Sequence, residues 1–205
     1  MVQYYLRTFR PKFLGWLTRL VYRGKNVHFG KNFRCDAIPK ILIDKNAQLH
    51  VADHVELRRS IEIRVHQRSK IVIGSKVRID RGVRILATNT AQITLHEGVR
   101  VGLYTVFNGG DDITVGARSL ISGFVYLQTS MHGFKDKSVA VQKQGYTHAP
   151  VQLEEDTWLG AHVVVLPGVT LAKGVVVGSN AVVTKPAAAY TILGGVPAKM
   201  LNERN

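Results

Sequence analysis

The feature that most narrows what this chain can fold into is the return of an aliphatic side chain at every sixth residue. From Leu153 the series runs Leu159, Val165, Leu171, Val177 and Val183, and Thr157, Val163, Val169, Val175 and Ala181 stand four places after its first five members. Position i+1 is small at Gly160, Ala172 and Gly178, with Glu154 and Leu166 departing from the rule. A helix repeats its apolar positions every three or four residues and a strand every two, so neither explains a period of six. A chain that makes a short strand, turns and starts again does.

The same spacing recurs upstream at Ile73, Val77, Ile79, Val83 and Ile85, at Leu95, Val99, Val101, Thr105 and Phe107, and at Val115, Ser119, Ile121, Val125 and Leu127. These blocks begin about 20 residues apart, which reads as three six-residue sides per coil plus a small corner insertion. That is the hexapeptide repeat of a parallel β-helix. Residues at i point into a narrow triangular prism, those at i+4 fill the corner beside them, and the small i+1 residue lets the backbone bend. No coil can bury its own inner face, so stability has to come from stacked neighbours.

Composition sets the surroundings. A single cysteine, Cys35, excludes an internal disulfide framework and fits a reducing compartment, so a cytoplasmic location is expected. Residues 1–100 hold 20 Lys and Arg against 7 Asp and Glu, whereas residues 101–205 hold 8 against 7, so nearly all of the net charge of +14 lies in the first half. The basic residues are scattered through the repeats without an RNA or DNA motif, which argues against a nucleic-acid partner. No stretch approaches the roughly 18 apolar residues of a membrane span, and the N-terminus lacks a signal-peptide core and cleavage pattern.

In "KFLGWLTRLVYR", Phe13, Trp16, Leu17, Leu20 and Val21 share one helical face, Lys12, Arg19 and Arg23 lie away from it, and Pro11 suits the helix start. Two uses fit this short basic amphipathic helix: packing on the first coil or a neighbouring subunit, or peripheral attachment to an anionic membrane at its inner face. The expected organisation is therefore an N-terminal helical segment at 1–24, the solenoid at 25–185 and a tail at 186–205 that leaves the repeat. Residues 128–150, "QTSMHGFKDKSVAVQKQGYTHAP", carry no six-residue grid and read as a long loop ejected from the solenoid. Loops longer than about 15 residues inside a compact repeat are usually functional or disordered.

On the strength of "WLGAHVVVLPGVT", "GSNAVVTK" and "GVPAK", in that order over its last third, the chain resembles the hexapeptide-repeat acyltransferases, in particular the maltose, galactoside and polysaccharide O-acetyltransferases. The resemblance implies an all-β solenoid of left hand, a handedness that the spacing alone does not reveal. It implies a homotrimer with each active site between two solenoids. It also implies direct acetyl transfer from acetyl-CoA, with no metal and no acyl-enzyme, to a sugar hydroxyl of a surface polysaccharide such as O-antigen, capsule or exopolysaccharide, or of its lipid-linked precursor.

Carried over residue by residue, the resemblance makes the loop His132 the general base, since imidazole titrates near working pH and can take the proton of an attacking alcohol. Asp136, Asp111, Asp112 or a backbone carbonyl could orient it. Asn108 and Trp158 match acceptor contacts, with Trp158 also flanking the acyl group. Gly160 and Ala161 follow that Trp, the Ala161 amide matching a donor to the thioester carbonyl. Gly178 and Ser179 match positions along the pantetheine arm, Thr184 and Lys185 lie near the cofactor, and Lys199 matches a phosphate contact. Where relatives continue "VTK" with an acidic residue, this chain has Pro186 and three alanines.

The rival readings are N-acetylation of an amino-sugar nucleotide on the same fold, and a non-catalytic solenoid scaffold. A γ-type carbonic anhydrase needs three converging histidines, and His132, His148 and His162 do not show its close pairing; His162 reads as an outward residue of a wall. His148, in the same loop as His132, reads on its own as a solvated side chain.

Overall fold

The computed structural model describes residues 9–24 and 26–205; the first eight residues of the expected N-terminal segment lie outside the described residues. Its body is a left-handed parallel β-helix of about 7 turns. Three parallel walls run its length. The first wall begins at Val27–Phe29 and ends at Thr170–Leu171, the second begins at Arg34–Cys35, and the third runs from Lys40–Ile43 to Val182–Val183. Each coil visits the walls in that order, and every strand pairs in register with its counterpart one coil away, as Leu49 with Ile71 and Ile71 with Ile93.

The six-residue grid predicts the interior well. Leu159, Val163, Val165, Leu171, Val177 and Val183 are all buried, as are Ile73, Ile79, Ile85, Leu95 and Phe107 from the upstream blocks. Each such side chain gives about 1.5–3 kcal/mol relative to exposure, and the neighbouring coil supplies the contact. Where the grid puts a hydroxyl at i+4, the corner backbone satisfies it: Thr105 donates to the Ser122 carbonyl at 3.0 Å, and Ser119 and Thr157 donate to the Glu154 carbonyl at 3.2 and 2.8 Å.

Three expectations are revised. The extra residues of the early coils do not sit at corners. They lengthen the first and third walls by one in–out pair each, so that Ile71 and Ile73, and Ile85 and Ala87, all point inward within four-residue strands. The small i+1 residue is needed for clearance: a Cβ on Gly160 would lie 2.6 Å from the Ser179 nitrogen and 2.9 Å from the Val177 carbonyl oxygen of the next coil. Bending is done elsewhere, by non-glycine corner residues in the left-handed region such as Tyr104, Phe124, His162 and Asn180, with φ of 53–61°. His162 is thus a corner residue, stacked on Phe124 at 4.8 Å.

The segment expected to leave the repeat instead continues it. Ala187 bridges to Leu171, Thr191–Gly194 adds a parallel rung beside Val176–Val177 on the second wall, and Lys199–Glu203 then closes that wall antiparallel. Arg204 pins the end through Asp156 at 3.0 Å.

At the other end, helix α1, Arg10–Val21, caps the first coil. The face it buries is the small one, Pro11, Gly15 and Thr18, because a Cβ at Gly15 would collide with the Phe33 carbonyl. The Thr18 hydroxyl lies 3.3 Å from the Cys35 sulfur, Arg19 donates to the Gly30 carbonyl, and Tyr22 donates to the Pro39 carbonyl at 2.9 Å. The face that the apolar pattern singles out is left outward, with Phe13, Trp16, Leu20 and Val21 each about half exposed.

Candidate active site

The residues assigned by resemblance fall into two groups on different edges of the prism. Trp158 opens the first group, on the second wall between Leu120 and Val176, 49% exposed, its indole N–H donating to the Ser122 hydroxyl at 3.3 Å. Gly160 and Ala161 follow at the corner between the second and third walls. Ala161 accepts a hydrogen bond from the Asn180 amide at 2.9 Å, while its own N–H has no partner among the described residues. An unpaired amide at a partly buried corner can donate to an anionic oxygen.

One coil further on, Gly178 and Ser179 lie on the same corner. The "GVPAK" turn folds back onto this edge, the Ala198 amide donating to the Val182 carbonyl at 2.8 Å, which sets exposed Lys199 opposite Gly194. Trp158, Gly160, Ala161, Gly178, Ser179 and Lys199 therefore line one edge of the last coils. Gly160 has a packing explanation in full, whereas a Cβ on Gly178 would meet its nearest atom, the Leu193 carbonyl oxygen, at 3.4 Å, an ordinary contact.

The second group lies across the third wall. Asn108 sits inside the strand Val106–Gly109, not at a corner, beside Gln128 of the next coil, and its amide donates to the Tyr126 hydroxyl at 3.0 Å. Thr184 and Lys185 are exposed just after the last strand of the same wall. Between Gln128 and Val151 the chain leaves the solenoid as a hairpin, Ser130–His132 antiparallel to Tyr146–His148, with a short 3₁₀ turn at Val141–Lys143. Ile113 pairs with Val151, 38 positions on, so the ejected segment is inserted into an otherwise regular coil.

Thr129 holds the base of the hairpin: its hydroxyl accepts from the amides of Gly110 and Asp111 at 2.9 and 3.0 Å and donates to the Asn108 carbonyl at 2.9 Å. The sequence gives no signal for this role beyond a lone Thr at the edge of the grid. His132 is exposed and its ring rests on Tyr146 at 4.0 Å between centroids. None of the three carboxylates offered as alternatives for orienting it does so. Asp136 accepts from Ser138, Asp112 from the Gln92 amide at 2.7 Å, and Asp111 from the Asp112 amide at 2.7 Å. His148, expected to be merely solvated, is held by the Ser130 hydroxyl at 2.9 Å.

Cys35 is fully buried beneath α1, and burial pushes its thiol pKa up, which keeps it from serving as a thiolate nucleophile. Among the described residues no group of three His, Cys, Asp or Glu side chains is placed to hold a metal ion, and no helix is long and apolar enough to cross a membrane.

The repeat matches a family model, the bacterial transferase hexapeptide of six repeats, over residues 150–185. The putative lipopolysaccharide biosynthesis O-acetyl transferase WbbJ of Escherichia coli is 30% identical over 131 residues, 60% of this chain and 67% of that protein. The chain belongs to the hexapeptide-repeat acyltransferases. A probable acetyltransferase of Mycobacterium tuberculosis is 35% identical over 137 residues, 63% of this chain, and the matched region spans 45% of that relative's length. Among solved structures, the polySia specific acetyltransferase NeuO superposes with a TM-score of 0.73 at 20% identity, covering 86% of this chain and 75% of its own. At that identity the likeness speaks for the fold of this hexapeptide-repeat chain alone.

Proposed function

We propose that this chain transfers an acetyl group from acetyl-CoA to a hydroxyl of a carbohydrate, in the making of a cell-surface polysaccharide or its lipid-linked precursor. The observation that carries the reading is the last corner: Trp158, an unpaired Ala161 amide, and an edge of Gly178, Ser179 and Lys199 that continues past it. The likeness to WbbJ, a putative O-acetyl transferase of lipopolysaccharide biosynthesis, supports oxygen as the acceptor atom.

In this mechanism His132 removes the proton of the acceptor hydroxyl as its oxygen attacks the thioester carbonyl carbon. Negative charge develops on the carbonyl oxygen, where the Ala161 N–H donates to it. The C–S bond then breaks, the new ester remains on the sugar, and His132 returns the proton to the departing sulfur, so a free thiol leaves. Lys199 binds a cofactor phosphate as a flexible point charge, and Lys185 lies near the cofactor.

The hairpin that carries His132 springs from the edge between the third and first walls, which in a triangular prism lies opposite the second wall, where Trp158 sits. One solenoid alone keeps these groups apart. A head-to-tail contact between copies that closes as a ring, a trimer, joins one copy's hairpin to the next copy's Trp158 edge. The outward aromatic row of α1, set in the strongly basic half of the chain, rests on an anionic membrane surface near a lipid-linked acceptor, which flotation with anionic vesicles tests.

The decisive assay supplies acetyl-CoA and sugar acceptors and follows free thiol. His132→Ala is expected to lower turnover by about 10²–10⁴-fold, the usual contribution of a general base, with the unfolding midpoint unchanged. Full turnover in the variant, or a product that survives mild base as an amide does, would sink the reading.

A further inference from the structure

Below Trp158 the second wall carries a line of arginines that the transfer chemistry does not use. Register stacks Arg34, Glu56, Arg78, Arg100, Leu120 and Trp158 directly above one another, one per coil. Five steps at about 4.8 Å make this line about 24 Å long. A single cleft of about 500 Å³ joins its upper part, lined by Trp158 and Leu120 at one end and by Arg100, Arg78, Arg58 and Glu56 toward the other. A second cleft, sharing Glu56, Arg78 and Arg100, continues to Arg34, against which α1 packs.

The charge here is not fully balanced within the chain: Arg34, Arg58, Arg78 and Arg100 face three carboxylates, Asp36, Glu56 and Asp80, the last of which also lines the cleft. Glu56 is already shared between Arg58 and Arg78, each at 3.4 Å, and Asp36 is taken by Arg58 at 3.3 Å. Arg34 and Arg100 have no acidic partner among the described residues. Arg78 is paired with Glu56 on one side, while Arg100, one strand spacing away on the other, has only that like charge and Leu120 as register neighbours. The guanidinium fork matches carboxylate and phosphate oxygens in bidentate fashion. The edge assigned to acetyl-CoA runs from Trp158 the other way, toward Ser179 and Lys199, which leaves this cleft to the acceptor.

We infer that the arginine line is an extended acceptor subsite for an anionic saccharide, which lies along the second wall with its negatively charged groups on Arg100, Arg78 and Arg34 and its reacting hydroxyl at Trp158. This deepens the acetyl-transfer reading and rests on it for the position of the reacting hydroxyl. The anionic groups have two sources, carboxylates distributed along an acidic glycan or the diphosphate that links a sugar to its carrier.

Direct binding tests this without turnover, using hexagalacturonate, its neutral methyl ester and UDP-glucose as probes in calorimetry, alongside acetyl-CoA. The native chain should bind an anionic probe at least about tenfold more tightly than the neutral ester, with affinity falling as salt is raised. Preference for hexagalacturonate points to distributed carboxylates, and preference for UDP-glucose to a diphosphate. Arg100→Gln should weaken the preferred probe about tenfold and Arg34→Gln, at the far end, should weaken only a long one. Acetyl-CoA affinity and the unfolding midpoint should stay unchanged in both. Equal binding of the neutral ester, or a loss in Arg100→Gln that falls on acetyl-CoA, overturns the inference. In kinetics the Arg100→Gln loss should appear in the KM of an anionic acceptor and not in kcat. If anionic probes bind through the arginines while no acceptor releases thiol, the transfer reading fails and the anion subsite stands.

Discussion

The lower and upper coils obey one packing rule and differ in almost everything else. In the lower half, counterparts such as Leu57 and Ile79 are 22 residues apart, the first and third walls have four-residue strands, and the outer side of the second wall is arginine and glutamate. In the upper half Leu159 and Val177 are 18 residues apart, the strands of the first and third walls shrink to two or three residues, and the same outer positions are Leu120, Trp158, Val176 and Ile192. A wall grows only by pairs, since a single added residue would turn every following side chain from inside to outside. The solenoid is therefore free to be wide where it carries charge and narrow where its edge is bare. All the residues assigned to the cofactor lie in the narrow part.

The packing rule common to both halves carries the largest stability cost. Gly74 in a wide coil and Gly160 in a narrow one both face the backbone of the next coil, with clearances for an added Cβ of 2.8 and 2.6 Å. Alanine at either should cost about 2 kcal/mol, since backbone has to shift to admit a methyl group. Gly178→Ala should change stability by less than about 0.5 kcal/mol, because its nearest contact is an ordinary one. Urea midpoints of the three variants give the ranking. If Gly160→Ala is silent, coil clearance is not what keeps that position small. If Gly178→Ala weakens acetyl-CoA at constant stability, its assignment to the pantetheine edge gains its first direct support.

The two halves also differ in what they offer a membrane. The outward row of α1 and the excess charge both belong to the lower half, so phosphatidylglycerol vesicles should bind the chain and phosphatidylcholine vesicles should not. Trp16→Ser should weaken flotation about tenfold, consistent with the loss of one partly inserted aromatic ring. An unchanged flotation profile removes the membrane from the account. A Trp16→Ser chain that floats normally but falls apart as an oligomer assigns the row to the subunit contact.

How much of this could be read in advance depended on whether a residue's role was periodic. The interior was legible, since Leu159, Val165 and Val183 repeat at a fixed interval and burial follows from it. The extra pairs in the lower walls look like corner insertions in the sequence, because Ile85 and Ala87 obey a period of two nested within the period of six. For α1 the apolar pattern left open which face packs on the first coil: close approach to the Phe33 carbonyl selects the smallest residues, so Gly15 is buried and Trp16 stays outward. Pro186 and its alanines look like the end of a repeat, yet the coil continues, since Ala187 and Leu193 still fill inward positions with little side-chain bulk and no grid signature. The partners of His132 were beyond reach, because each candidate aspartate is claimed by a turn amide a few residues away or one coil away.

The hairpin gives the smallest effect and the finest probe, for it belongs to neither half. Asp136 Oδ1 accepts from the Ser138 hydroxyl at 2.6 Å and the Ser138 amide at 2.9 Å, and Gln144 bridges the same bend by donating to the carbonyls of Asp136 and Val139, both at 2.7 Å. The Ser138 hydroxyl, then its amide, hold the Asp136 pKa below its ordinary value of 3.8. A carboxylate with a depressed pKa stabilises the folded bend at pH values above the ordinary one, and that contribution fades as pH falls through the lowered value. The Ser138 amide resonance should therefore titrate with a midpoint below 3.8, while amides of the walls stay unmoved over the same range and the global unfolding midpoint barely changes. A midpoint at or above the ordinary value would show that the bend exists without the carboxylate. Asp136→Asn, which keeps an acceptor but cannot ionise, should remove the titration and leave thiol release at neutral pH as it was, provided the bend only presents His132 and takes no part in moving its proton.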